Sequence, residues 1–230
     1  MREQLLTALR RGAQDLGLDL DERQVGLLLD YLALIQKWSL VYNLTAVRDP
    51  VEMVSHHLLD SLAVIRPLRR QLAIVRPELV EGRGLRQARG ERIKLLDVGS
   101  GAGLPGVVIA ICCPDIDVTC VDTVAKKAAF VQQVAAALKL PNLRGLHARV
   151  ESLIEPFDVV SSRAFASLAD FTNWSRAALA PQGVWMAMKG KHPVDELAQL
   201  PSGVQMFHVE QLQVPGLGAE RCIVWLRLLP

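Results

Sequence analysis

An apolar strand that ends in glycines and passes at once into a helix leaves few folds open. Residues 95–106 read this way: Leu95-Leu96-Asp97-Val98-Gly99-Ser100-Gly101-Ala102-Gly103-Leu104-Pro105-Gly106. Glycine tolerates positive φ and lets a ligand approach the backbone closely, so such a turn suits a nucleotide-like group at a helix start. A second strand pattern ends at Asp122, 23 residues after Gly99. A carboxylate at that place can accept hydrogen bonds from ribose hydroxyls. Open α/β sheets bind ligands at the carboxyl ends of their strands, where both features converge.

Glycine spacing alone is shared with dinucleotide sites and with turns that are purely structural. Asp97, immediately before the loop, tilts the choice: its charge is unfavourable beside a pyrophosphate. It suits a ligand with an ammonium group and no phosphate, such as S-adenosylmethionine. The arrangement Asp-x-Gly-x-Gly-x-Gly also resembles the first motif of Rossmann-like methyltransferases.

From Ile93 onward, strand and helix patterns alternate. Strands are expected at 93–98, 117–122, 143–147, 157–161, 183–188, 204–211 and 221–229, and helices at 105–112, 124–138, 167–179 and 193–199. Such alternation predicts an α/β fold with a largely parallel sheet. The last two strands have no long helix between them and predict an antiparallel edge hairpin near Pro215-Gly216-Leu217-Gly218.

Residues 1–66 read as a helical cap. Leu5, Leu6, Leu9 and Ala13 recur at helical spacing, Asp21 is placed to cap a second helix, and Pro50 opens a third. Residues 67–92 interleave proline, glycine and arginine and read as a linker or insertion that can hold one short helix. Residues 93–230 form the catalytic domain on this reading.

Net charge is +2, but from Arg66 to Lys94 nine Lys or Arg face three Glu, a local +6. That asymmetry points either to a polyanion partner or to a solvated arginine-rich loop. Half the residues are hydrophobic, enough for a sizeable core, while the longest unbroken apolar run is only Val107 to Cys113. With no signal-peptide core at the N-terminus, a soluble, cytoplasmic protein is expected. Four cysteines without a CxxC pair predict reduced, buried thiols and no metal site.

Further segments narrow the class to a family. Trp38-Ser39-Leu40-Val41-Tyr42-Asn43-Leu44-Thr45 precedes His57-Leu58-Leu59-Asp60-Ser61-Leu62. The glycine loop follows, then Arg149-Val150-Glu151, Ser162-Arg163-Ala164-Phe165-Ala166 and Met188-Lys189-Gly190. In this order they closely resemble the RsmG (GidB) family, bacterial methyltransferases that modify guanine N7 in 16S ribosomal RNA. The resemblance runs from about Trp38 to Val224. It implies an S-adenosylmethionine-dependent enzyme with a Rossmann-like, seven-stranded, mostly parallel sheet and an N-terminal helical extension. It also implies cofactor contacts at Gly99, Leu104, Val150, Glu151 and Arg163; Gly101 and Asp122 join them from the loop and ribose arguments. The stretch from about Arg70 to Arg92 looks longer than the family carries, so its charge is weak support for RNA binding.

Guanine N7 carries a lone pair and no proton. Methyl transfer to it needs no general base, so no catalytic acid or base is nominated; Arg163 is the positioning candidate, with a structural ion pair as the other reading. The position after the fourth strand reads Ser-Ser-Arg-Ala-Phe, not the Asn/Asp-Pro-Pro-aromatic of amino-group methyltransferases, and Cys113-Pro114 reverses the order expected of a nucleophilic cysteine. RNA-binding candidates are Lys126, Lys127, Phe165, Lys189 and Arg221, each with a plainer reading as solvated or core residue. Tyr42, Asn43 and Thr45 are expected to fix the cap against the sheet, and His56 and His57 point too far apart on a helix for joint metal ligation. Two other classes stay open: an NAD-type oxidoreductase and a noncatalytic RNA-binding module on the same fold.

Overall fold

The computed structural model describes residues 1–75 and 92–229. The chain opens with helices α1 (Arg2–Asp15) and α2 (Glu22–Tyr42). The Asp21 carboxylate accepts the Gln24 N–H at 2.7 Å and the Gln24 side chain accepts the Asp21 N–H at 3.0 Å, a reciprocal cap that starts α2. Then come α3 (Pro50–Met53), a π-helical segment (Val54–Leu59), α4 (Asp60–Leu62) and α5 (Ile65–Val75).

Helix α5 crosses the boundary expected at residue 66. Pro67 falls in its first turn, where a missing N–H costs nothing, and Leu68 and Leu72 are fully buried. The basic stretch is also partly neutralised. Arg69 pairs with Asp115, Arg70 with Glu210 at 2.6 Å, Arg92 with Asp117 at 3.2 Å and Lys94 with Glu155 at 3.0 Å. Asp115 and Asp117 lie at the opposite end of their strand from Asp122, away from the glycine loop. The remainder of the 67–92 expectation, residues 76–91, lies outside the described residues.

Strands β1 (Ile93–Val98), β2 (Ile116–Asp122), β3 (Leu143–His147), β4 (Phe157–Arg163), β5 (Leu179–Lys189), β6 (Val204–Leu212) and β7 (Arg221–Leu228) form one sheet in the order β3-β2-β1-β4-β5-β7-β6. β1 to β5 are parallel; β7 runs antiparallel to both β5 and β6. This is the seven-stranded, mostly parallel sheet the resemblance implies. The order reverses between β1 and β4, so their carboxyl ends, at Val98 and Arg163, frame the crevice where such sheets bind ligands.

One sheet face is covered by α6 (Gly106–Cys112), α7 (Ala125–Ala137) and the N-terminal helices, the other by α8 (Leu168–Ser175) and α9 (Val194–Leu197). Leu9, Leu28, Leu32, Leu58 and Leu62 of the extension share one apolar cluster with Val107, Ile109, Phe130 and Ile223. Burying each such side chain contributes roughly 1.5–3 kcal/mol, so the cap is welded to the sheet. Helix α2 is long and apolar enough to cross a membrane, with mean hydropathy 1.2, but Val25, Leu28, Leu32 and Ile35 place its apolar stripe in this cluster.

Candidate active site

The glycine loop is held from both sides. The Gly99 N–H donates to the Val121 carbonyl at 2.9 Å and the Gly101 N–H to Asp122 Oδ2 at 3.0 Å. Gly99 and Gly101 have φ of +64° and +59°, a region costly for other residues. The other oxygen of Asp122 accepts the Val124 N–H at 2.8 Å. Asp122 therefore fixes the two turns that meet at the strand ends.

Asp97 corrects the sequence argument. Its side chain is fully buried, with Oδ2 accepting the Gly106 N–H and Oδ1 the Ser161 hydroxyl, each at 2.9 Å. Burial pushes its pKa up to about 6. It ties the glycine loop, α6 and β4 together from behind, with both carboxylate oxygens bonded to these two protein groups.

Two cavities flank the loop. One, of about 410 Å³, is lined by Gly99, Asp122, Val124, Lys127, Val150, Glu151, Phe165 and Trp174. The other, of about 440 Å³, is lined by Thr45, His56, His57, Asp60, Gly99, Gly101, Leu104, Arg163, Lys189 and Arg221. They meet at Gly99 and Ala164, which line both. Ala164 has φ of +50°, an unfavourable conformation for alanine that costs about 1 kcal/mol. The turn it makes after β4 lays the Phe165 ring on the loop, where a methyl group built on Gly99 would stand 2.2 Å from it.

The second cavity is organised by a residue the sequence reading left without a role. Asp60 is 1% exposed. Its Oδ2 accepts Arg163 Nη1 at 2.8 Å and its Oδ1 accepts Arg221 Nε at 2.9 Å. Arg163 Nη1 also reaches the His56 carbonyl at 3.1 Å, in the π-helical segment whose wide turns displace carbonyls from the regular ladder. His57 is buried with Nε2 2.8 Å from Thr45 Oγ1; burial, with Arg163 beside it, lowers its pKa to about 4 and keeps the ring neutral. The signal for Asp60 was present: a carboxylate among Leu58, Leu59 and Leu62 must be buried and must find cations.

The remaining candidates divide. Lys189 lines the second cavity with its ammonium held by Glu196, at 2.8 and 3.0 Å, and by the Ala166 carbonyl. Lys127 lines the first, 3.9 Å from Asp122. Lys126 belongs to neither lining and sits over the Tyr42 ring at 5.2 Å from its centroid. Phe165 meets Phe171 and Trp174 edge-on, with ring centroids 6.4 and 5.9 Å away. Tyr42 is half-exposed, packing on Trp38 and under Lys126 of α7, while Asn43 and Thr45 bond within the extension, to Arg48 and His57. The cysteines are free, and burial pushes the Cys113 thiol up to about 11. Among the described residues no three His, Cys, Asp or Glu side chains converge as metal ligands.

The family model described as GidB, rRNA small subunit methyltransferase G, matches residues 24–75 and 83–224. The chain belongs to this family. Among its relatives, "Ribosomal RNA small subunit methyltransferase G" of Acidovorax sp. (strain JS42) is 68% identical over 220 residues, 96% of this chain and 94% of that one. The protein of the same name from Albidiferax ferrireducens is 68% identical over 227 residues, covering 99% and 98%. The crystal structure of TrmN from Thermus thermophilus superposes with a TM-score of 0.52 at 19% identity, over 76% of this chain and 53% of that one, a likeness of fold. As a GidB-family protein the chain is a small-subunit ribosomal RNA methyltransferase, and the methyl donor the resemblance implies is S-adenosylmethionine. The joined cavities fit that donor. Gly101 lines the second cavity, and a side chain built on it would meet nothing within 4 Å, so its backbone lies open to a ligand.

Proposed function

We propose that this chain transfers the methyl group of S-adenosylmethionine to N7 of a guanine in 16S ribosomal RNA by direct in-line displacement. The observation that carries the reading is the meeting of two cavities at Gly99 and Ala164. On this reading Asp122, Val150 and Glu151 hold the nucleoside part of the cofactor. Gly99, Gly101 and Leu104 form the floor beneath its amino-acid end, and Arg163 and Arg221 orient the groups that meet in the second cavity.

S-adenosylmethionine, when bound, supplies an electrophilic methyl group on a sulfonium. N7 of guanine already offers a lone pair, so no side chain has to remove a proton. A neutral His57 and arginines tied to Asp60 agree with that demand. Such a site works by alignment and exclusion of water, which can supply up to roughly 7–11 kcal/mol of a barrier. Ribosomal RNA as substrate makes the cytoplasm its place of action.

Calorimetric titration with S-adenosylmethionine and with NAD, followed by incubation with methyl-labelled cofactor and small-subunit RNA, tests the reading. The expected results are binding of S-adenosylmethionine alone and label recovered as 7-methylguanine. Tight NAD binding would favour an oxidoreductase, and RNA binding without label transfer a noncatalytic module.

A further inference from the structure

Helix α2 belongs to the extension, yet one of its side chains reaches the ligand-binding loop. Tyr31 is fully buried, and its hydroxyl donates to the Ala102 carbonyl at 2.6 Å. Burial holds the phenol pKa well above its ordinary value, so it stays a donor. Ala102 is itself buried.

The same peptide is gripped from its other side, where the Gly103 N–H donates to the Ser100 carbonyl at 2.8 Å. A peptide unit is planar, so holding its oxygen on one side and its hydrogen on the other fixes the plane. That plane follows Gly101, whose backbone is open to the second cavity. The tyrosine cannot easily swing away. Its ring lies 6.5 Å from that of Phe130 on α7, and Phe130 in turn meets Trp38 edge-on at 5.2 Å. The other hydrogen bonds to residues 99–104 come from Val121, Asp122 and Ser100, in the loop or at the end of β2, and from the Val107 N–H of α6, which donates to the Gly103 carbonyl at 2.7 Å.

We infer that Tyr31 is a positioning residue for the cofactor: the helical extension sets the shape of the glycine loop through a single hydroxyl. The inference rests on the reading of this loop as the seat of S-adenosylmethionine. Without the hydroxyl, the Ala102 carbonyl becomes a buried acceptor without a partner, and the free protein relaxes into other loop arrangements. A ligand that binds only the competent arrangement loses affinity in proportion to that arrangement's population. If that population falls to about a tenth, Kd rises about tenfold.

The test compares the wild-type chain with Tyr31→Phe and Gln24→Ala. Gln24 makes a separate tie from α2 to the Cys112 carbonyl, at 3.4 Å, so its loss weakens the extension without touching the loop. Calorimetry with S-adenosylmethionine is expected to show about a tenfold weaker Kd for Tyr31→Phe and an unchanged Kd for Gln24→Ala. The turnover of Tyr31→Phe at saturating cofactor, and its KM for small-subunit RNA, stay at wild-type values. Wild-type affinity in Tyr31→Phe, or equal weakening in both variants, overturns the inference. No binding even by the wild type would overturn the cofactor reading and this inference together, and that outcome is distinct from the other two.

Discussion

Asp60 Oδ2 stands 2.8 Å from Arg163 Nη1 across 103 residues of sequence. The bond fastens the π-helical corner of the extension to the carboxyl end of β4, and Arg221 at the start of β7 closes the other side of the same carboxylate. A buried carboxylate between two partly buried guanidiniums costs desolvation, which the two pairings offset. Its removal strands both cations. Asp60→Ala is therefore expected to lower stability by about 3 kcal/mol in urea denaturation and to slow methyl transfer. Asp60→Asn, which keeps the shape and one acceptor, should recover part of both losses. Full activity in Asp60→Ala would detach this node from the reaction.

Arg163→Ala is predicted to fold, because Arg221 still partners Asp60. Turnover on small-subunit RNA should drop at least about tenfold, as expected when an orienting group is lost. Arg163→Lys should not restore it, since a single ammonium cannot reach Asp60 and the His56 carbonyl with the same geometry. Steady-state kinetics with circular dichroism as the fold control decides this. Wild-type turnover in Arg163→Ala would leave Arg163 a purely structural ion pair.

Gly99→Asp joins three penalties at one atom: positive φ, contact with the Phe165 ring, and a negative charge near Asp122. Cofactor affinity should fall by at least about a hundredfold, which corresponds to ~2.7 kcal/mol. Calorimetry on the folded variant measures it, and unchanged affinity would refute the loop assignment.

Much of this was legible before any coordinates. The alternation of strand and helix segments placed all seven strands because the apolar runs of strands buried on both faces are local in sequence, and Asp21 and Pro50 marked helix starts by local chemistry. What stayed hidden was relational. Nothing near Asp97 shows that its carboxylate turns inward to Gly106 and Ser161. Asp60 finds Arg163 and Arg221 only once β4 and β7 flank β5 in the sheet. The positive φ of Ala164 is imposed by tertiary packing, against the residue's own preference. The partners of Arg69, Arg70 and Arg92 were hidden for the same reason, since Asp115, Glu210 and Asp117 are distant in sequence.

His57 gives the chain a pH signature. Its folded pKa of about 4 lies below the unfolded value near 6.5. Below pH 6.5 the unfolded chain takes up a proton that the folded chain refuses, so stability falls as pH drops from 6.5 towards 4 and is insensitive to this group above 7. Between pH 7.5 and 5.0 the wild type should lose roughly 2 kcal/mol more than His57→Gln. Paired urea titrations at the two pH values provide the check, and equal losses would contradict a neutral, buried His57.

Lys126 carries no carboxylate partner among the described residues, resting instead over Tyr42. If it meets a phosphate of the substrate, Lys126→Glu should weaken RNA binding and reduce the slope of log affinity against log salt by about one. S-adenosylmethionine affinity should not change. An unaltered salt slope would leave Lys126 a solvated surface residue.

The most direct examination of the central claim is mass spectrometry of small-subunit ribosomal RNA from cells with and without this protein. One guanine is expected to carry an N7 methyl group when the protein is present and to lack it when the protein is deleted. Identical modification patterns in the two strains, or a lost methyl at any atom other than guanine N7, would contradict that claim.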